Sequence, residues 1–170
     1  MKALPRGHIE AVDNALTVRR CAEMMARAEP WRQLYFSVDE CEQLLSQPNI
    51  ALHGWISELG ALAAFIATAA LGVGDEPLLE FICVEESHRN SGIGTALINF
   101  AEETLFPQAD NLYLFVSDIN PNAARLYERL GYQRVGALPN FNLAGQTEYL
   151  YRKSRRPRQA RYERSANSHS

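Results

Sequence analysis

The stretch Arg89-Asn-Ser-Gly-Ile-Gly-Thr-Ala-Leu97 decides how this chain is read. It follows an apolar run, PLLEFICV (77–84), and opens a helical one, GIGTALINFAEETLF (92–106). Glycine costs about 1 kcal/mol against alanine inside a helix, so two glycines at a helix entrance need a reason. Without Cβ atoms, Gly92 and Gly94 let the backbone curl closely around an anion. The first N–H groups of a helix lack intrahelical partners and lie at its positive end, where phosphate binds. Arg89 and His88 stand beside the turn and add charge. The dinucleotide pattern would need a third glycine, and the Walker pattern a Gly-Lys-Ser/Thr; both are absent. A tight strand-to-helix turn without a ligand is the competing explanation of these two glycines.

The surrounding elements alternate. ALTVRRC (15–21) reads as a first strand after a polar lead-in over residues 1–14, and AEMMARAEPW (22–31) as a helix stopped by Pro30. Ser37 followed by Glu40 is a capping-box pattern ahead of Leu44 and Leu45, and Pro48 closes that helix. IALHGWISEL (50–59) and ALAAFIATAAL (61–71) form a hairpin turning near Leu59-Gly60. PLLEFICV has the continuous apolar character of a central strand. Leu97, Ile98, Ala101 and Leu105 share one helix face. NLYLFVS (111–117) is a strand, PNAARLYERLG (121–131) a helix with Pro121 at its first position and Gly131 as its stop, and YQRVGAL and TEYLYRK are the last two strands. The order β-α-α-β-β-β-α-β-α-β-β is that of a single mixed α/β domain.

A second motif lies 26 residues beyond Gly94: Asn120, Ala123, Tyr127, Gly131 and Tyr132, spaced as Asn-x-x-Ala-x-x-x-Tyr-x-x-x-Gly-Tyr. Together the two stretches resemble the GNAT family of N-acetyltransferases. Arg89, Gly92 and Gly94 match its Arg/Gln-x-x-Gly-x-Gly/Ala signature, and the second motif matches the family's pattern after its fifth strand. The resemblance covers about residues 16–152, with its specific part between Leu79 and Gly136. It implies a mixed, mostly antiparallel sheet of six to seven strands, splayed between the fourth and fifth and flanked by about four helices. It also implies acetyl-CoA as co-substrate, transfer of acetyl to an amine, no metal, and a possible homodimer.

By family position, backbone at Ile82, Cys83 and Val84 would hold the pantetheine arm and thioester. Arg89, Asn90, Ser91, Gly92, Ile93, Gly94 and Thr95 would hold the pyrophosphate, and Asn120 would bond near the thioester. Tyr127 matches the family's general-acid tyrosine and would also touch the cofactor; an aromatic packed under the helix is the alternative. A phenol, with a pKa of about 10, can protonate a leaving thiolate of about 8.5. Glu80 is the candidate base, because a carboxylate amid the apolar residues of LLEFICV needs explaining; a rim position paired with Lys or Arg is the alternative. Strand alternation would put Glu80 on the face of Ile82 and Val84. Cys83 has no neighbouring His to activate it and reads as structural.

For the acceptor, the early helices and the last hairpin offer Trp31, Tyr35, Phe36 and Phe141 as an aromatic wall, with Asp39, Glu40 and Glu148 to attract a cation. Ordinary packing accounts for the aromatics equally well. An amine attacks only when neutral, and a lysine-like amine with pKa about 10.4 is neutral at pH 7 less than one time in a thousand. Three classes stay open: an enzyme for a small cationic amine, an enzyme for a protein N-terminus or lysine, and a non-catalytic acyl-CoA-binding module.

Bulk composition fits this reading. The chain has 170 residues, 46% hydrophobic and 22% charged, with a net charge of −3. From Arg152 to Ser170 seven Lys/Arg stand against one Glu, a local +6, so the remaining chain carries −9. We expect a domain over 1–152 and a basic, disordered tail over 153–170 that is solvated or touches RNA or another acidic surface. The acidic body argues against nucleic-acid binding by the folded domain. The longest charge-free stretch, Leu59–Gly74, has 16 residues; as a helix it would span about 24 Å, too short for a bilayer core. No membrane association is expected. Three cysteines and four scattered histidines show no metal spacing, and free thiols fit a cytoplasmic protein.

Overall fold

A computed structural model of the chain describes residues 4–156. The elements in order are β1 (Gly7–Ala11), α1 (Ala15–Arg27), α2 (Val38–Leu45), β2 (Ile50–Ser57), β3 (Leu62–Val73), β4 (Glu76–Val84), α3 (Ile93–Phe100), β5 (Asn111–Ser117), α4 (Pro121–Arg129), β6 (Gln133–Pro139) and β7 (Thr147–Ser154). A 3₁₀ turn (Glu86–His88) precedes α3, and a π-helical turn (Ala101–Leu105) extends it.

The strands form one sheet in the order β1-β2-β3-β4-β5-β7-β6. Every neighbouring pair is antiparallel except β4–β5, which is parallel. That one parallel pair is held at only two positions, Leu78 opposite Tyr113 and Leu79 opposite Leu114. Beyond Leu79 the strands part, so β4 from Glu80 onward carries no partner on that side. This is the expected mixed sheet with its splay.

Helices cover both faces. Cys21, Ala22, Met24 and Met25 of α1 and Cys41 and Leu45 of α2 pack on Leu52, Phe65, Ala67 and Cys83. On the other face Ile93, Leu97 and Ile98 of α3 and Tyr127 of α4 pack with Ala64, Ile66, Leu112, Leu114 and Val116. β3 serves both layers: Ala63 through Ala69 are all buried, and its alanines let helices approach from each side. Burying a residue such as Leu97 completely stabilises the fold by about 1.5–3 kcal/mol.

The first two elements differ from the sequence expectation. ALTVRRC is the start of α1, not a strand, and the first strand lies earlier, in the residues read as a polar lead-in. Asn14 caps the helix: its side chain accepts from the Thr17 amide and hydroxyl, both at 2.9 Å. Cys21, Ala22, Met24 and Met25 then fall on one helical face, and this packing overrides the β-branched Thr17 and Val18. The capping box of α2 forms as expected, with Ser37 bonded to the Glu40 amide and the Glu40 carboxylate to the Ser37 amide.

The C-terminal boundary also moves. β7 continues through Lys153 and Ser154. The Lys153 ammonium lies 2.6 Å from the buried Glu102 carboxylate, Arg155 donates to the Glu102 and Phe106 carbonyls, and Arg156 pairs with Asp110 at 2.9 Å. These basic residues belong to the folded body. The rest of the basic segment, from Pro157 on, lies outside the described residues. No helix among those described is long and apolar enough to cross a membrane.

Candidate active site

The splay opens into a cleft of about 340 Å³ that passes between β4 and β5. Its two ends have different chemistry because the strands place alternate side chains on opposite faces. On the α3–α4 face it meets Leu79, Ile82, Ile98, Val116, Ala123 and Tyr127. On the α1–α2 face it meets Trp31, Phe36 and Phe81, with Glu80 and Glu148 also on its walls.

Glu80 reaches its position through an irregularity. Ala67 lies opposite Phe81 and Thr68 opposite Leu79, so Glu80 is an extra residue with no partner in β3. Such a β-bulge breaks the alternation. Leu79 and Ile82, three residues apart, both pack in the cluster under α3, and Glu80 and Phe81 between them both line the cleft. The alternation that would set Glu80 on the face of Ile82 and Val84 is thus interrupted at Glu80 itself. Burial pushes its carboxyl above the usual range, and no Lys or Arg pairs with it among the described residues.

Tyr127 sits across the cleft on α4, 6% exposed. Burial raises its phenol, so it stays protonated at neutral pH. Its ring meets Tyr132 edge-on at 6.0 Å, and the Tyr132 hydroxyl donates to Glu102 at 2.9 Å. Asn120 caps α4, its carbonyl oxygen accepting from the Ala123 amide at 3.2 Å, and it lines the same cleft.

At the end of β4 the chain turns into α3 through the glycine stretch. Asn90 and Gly92 adopt positive φ (59° and 89°). The first helical bond runs from the Ala96 amide to the Gly92 carbonyl, so the amides of Ile93, Gly94 and Thr95 precede it at the open end of the helix. The Ser91 hydroxyl closes the turn onto the His88 carbonyl, and Arg89 donates to the Val84 carbonyl at 3.4 Å. Strand end, loop and helix start therefore form one unit beside the splay.

Other expected residues separate. Trp31 and Phe141 line the cleft, Trp31 edge-on to Phe81 at 6.2 Å and Phe141 stacked on Phe115 at 6.0 Å. Tyr35 does not: it is 87% exposed and off the cleft wall. Asp39 pairs with Arg19 at 2.6 Å and Glu40 is spent on the α2 cap, so neither faces the cleft. Cys83 is buried under α1, its thiol against the Met24 carbonyl, and burial raises its pKa to about 12, which suits a structural role. Sequence reasoning missed Glu29, Phe81, Phe115, Ser117 and Asn142 on the cleft wall. Only the strand alternation of Phe115 and Ser117 carried a signal for them.

Comparison with known proteins agrees with this geometry. The chain is 35% identical over 71 residues to an N-alpha-acetyltransferase of Sulfurisphaera tokodaii, a match covering 41% of this chain and 42% of that protein. The chain thus spans less than half of that relative. A crystal structure of an aminoglycoside 6'-N-acetyltransferase complexed with coenzyme A superposes with a TM-score of 0.71 at 22% identity, covering 89% of this chain and 98% of the other. The ribosomal-protein-S18-alanine N-acetyltransferase of Escherichia coli gives 0.72 at 20% identity, covering 89% and 95%. The acetyltransferase (GNAT) family model matches residues 17–132, well over half of the chain, and the chain accordingly belongs to the GNAT family of acetyltransferases.

Proposed function

We propose that this acetyltransferase moves the acetyl group of acetyl-CoA to a primary amine of a small cationic acceptor, by direct attack on the thioester. The observation that carries this reading is the cleft through the splay, lined by both Glu80 and Tyr127. The residues present fit acetyl-CoA. The β4 edge beyond Leu79 lacks a neighbouring strand, so the amides of a pantetheine arm can pair there as an added strand. The amides ahead of Ala96 at the start of α3 suit the pyrophosphate.

Glu80 takes a proton from the incoming ammonium, directly or through water, and leaves a neutral nitrogen. That nitrogen bonds to the thioester carbon and sheds its second proton to water, and the C–S bond breaks as the tetrahedral intermediate collapses. Tyr127 gives its proton to the departing sulfur, so the products are the N-acetyl compound and a free thiol. The net release is one proton per turnover. Asn120, fixed by its capping bond, orients the thioester end.

The acceptor class follows from charge. The cleft is lined by Glu29, Glu80 and Glu148 and by no Lys, Arg or His among the described residues. A cytoplasmic setting goes with this reading, since the three cysteines are free and buried. The likeness to an N-alpha-acetyltransferase favours a second reading, in which the acceptor is a peptide N-terminus. Thiol release from acetyl-CoA, measured across small amines and peptides with free N-termini, separates the two. Turnover of small amines supports the first reading; turnover of peptides alone overturns it.

A further inference from the structure

Glu148 is 6% exposed on β7, and its carboxylate accepts from the Asn142 amide at 3.0 Å and lies against the Ser117 hydroxyl. No Lys, Arg or His pairs with it among the described residues. A buried carboxylate without a cation is costly to hold ionised, and among the described residues Glu148 has none. Opposite it on β5 lies Ser117, 5% exposed, whose hydroxyl faces the Glu148 carboxylate. Both line the cleft, as does Asn142, whose amide nitrogen is given to Glu148. This pocket of acceptors suits an ammonium group. Glu29 is a weaker candidate, because Arg32 already donates twice to its Oε1 and neutralises it.

Position sets the role. Directly opposed residues of an antiparallel pair share a face, so Glu148 and Ser117 lie together. Leu112, Leu114 and Val116 of β5 face α3 and α4; by alternation Phe115 and Ser117 face the other way, toward the acceptor side. Glu80 stands on the β4 lip of the splay and Glu148 beyond its β5 lip. Paired strands are about 4.8 Å apart, and the lips stand further apart than that. A molecule lying across the splay thus meets one carboxylate at each end.

Resting on the proposed reaction, we infer that Glu148, Ser117 and Asn142 form a subsite for a second ammonium group, so that the acceptor is a short diamine or polyamine. Glu80 receives the amine that reacts, and Glu148 holds the one that does not.

The test compares kcat/KM for 1,4-diaminobutane with that for butylamine, which keeps the reacting amine and replaces the second ammonium by a methyl group. The wild type should favour the diamine by about tenfold or more, mostly through KM. Glu148→Gln, which preserves side-chain size, should bring the ratio to within about twofold of one. Ser117→Ala should narrow it less, and thermal melting verifies that both variants fold. A wild-type ratio near one, or a ratio unchanged in Glu148→Gln, overturns the subsite while leaving amine acetylation intact. If no amine is acetylated, the proposed reaction fails, and the subsite is then judged by titrating both amines into the CoA-saturated protein. Tighter binding of the diamine, lost in Glu148→Gln, upholds it; equal binding overturns it.

Discussion

The two glycines of the β4–α3 turn should respond to substitution in opposite ways. Gly92 sits at φ +89°, a conformation that costs an L-residue about 1–2 kcal/mol. Alanine there also restricts the unfolded chain, which returns about 0.4–1 kcal/mol. Gly92→Ala should therefore destabilise the protein by about 1 kcal/mol and lower the melting midpoint by about 2–4 °C. Gly94 is an ordinary helical residue whose added Cβ would lie 3.6 Å from Val84 Cγ2 and 3.9 Å from Leu126 Cδ2, both normal contacts. Gly94→Ala should stabilise by about 0.5–1 kcal/mol, a rise of about 2 °C. The branched methyls of Gly94→Val would instead press on Val84 and Leu126 and bring bulk to the open end of α3, where the pyrophosphate is proposed to sit. Acetyl-CoA at a hundred times Kd adds about 2.7 kcal/mol to a protein that binds it, or about 5–10 °C here. Differential scanning fluorimetry with and without acetyl-CoA should show that rise in the wild type and in Gly94→Ala, and none in Gly94→Val. A full response in Gly94→Val would refute the placement of the pyrophosphate at this turn.

Tyr127→Phe keeps the ring and removes the proton donor; turnover should fall about 100-fold or more with the acetyl-CoA thermal shift retained, and unchanged turnover would remove Tyr127 from the acid role. Glu80→Gln should lose most activity between the raised pKa of Glu80 and that of the amine, where the wild-type carboxylate is ionised but the amine still carries its proton. The wild-type rate should fall as pH drops through the raised Glu80 value, from above 4.5, and the same acidic limb in a Glu80→Gln profile would exclude this carboxylate as base. Lys153→Met leaves the buried Glu102 with the Tyr132 hydroxyl and with Arg155 at 3.8 Å. Breaking a buried pair costs about 3–5 kcal/mol; with Arg155 remaining, the low end applies. The midpoint should drop by roughly 6–12 °C, and a drop under 2 °C would place Lys153 outside the folded network.

Much of the architecture is written in local signals. The Ser37–Glu40 box, Pro121 at the start of α4 and Gly131 at its end, with φ +91°, each satisfy a backbone need confined to a few residues. The glycine turn is visible in its spacing, and Tyr127 stands out through the family pattern it matches. What escaped the sequence depended on partners far along the chain. Thr17 and Val18 suit a strand until the α1 face meets α2 and the sheet. The bulge at Glu80 is a mismatch between two strands, and neither strand announces it. Tyr35 looked equivalent to Trp31, but its positive φ of 59° turns the chain and leaves it outside. The basic residues after Arg152 read as solvated because Glu102 and Asp110, which receive them, lie over 40 residues earlier.

The two-residue contact between β4 and β5 has a mechanical meaning. It divides the sheet into a four-strand block, β1 to β4, and a three-strand block, β5 to β7, with Leu78 and Leu79 as the seam. Main-chain bonds join the blocks only there, so the gap is held by the core beneath it, where α3 packs on Ala64 and Ile66 of one block and on Leu112, Leu114 and Val116 of the other. A pantetheine arm threaded along β4 would act as a splint across that joint.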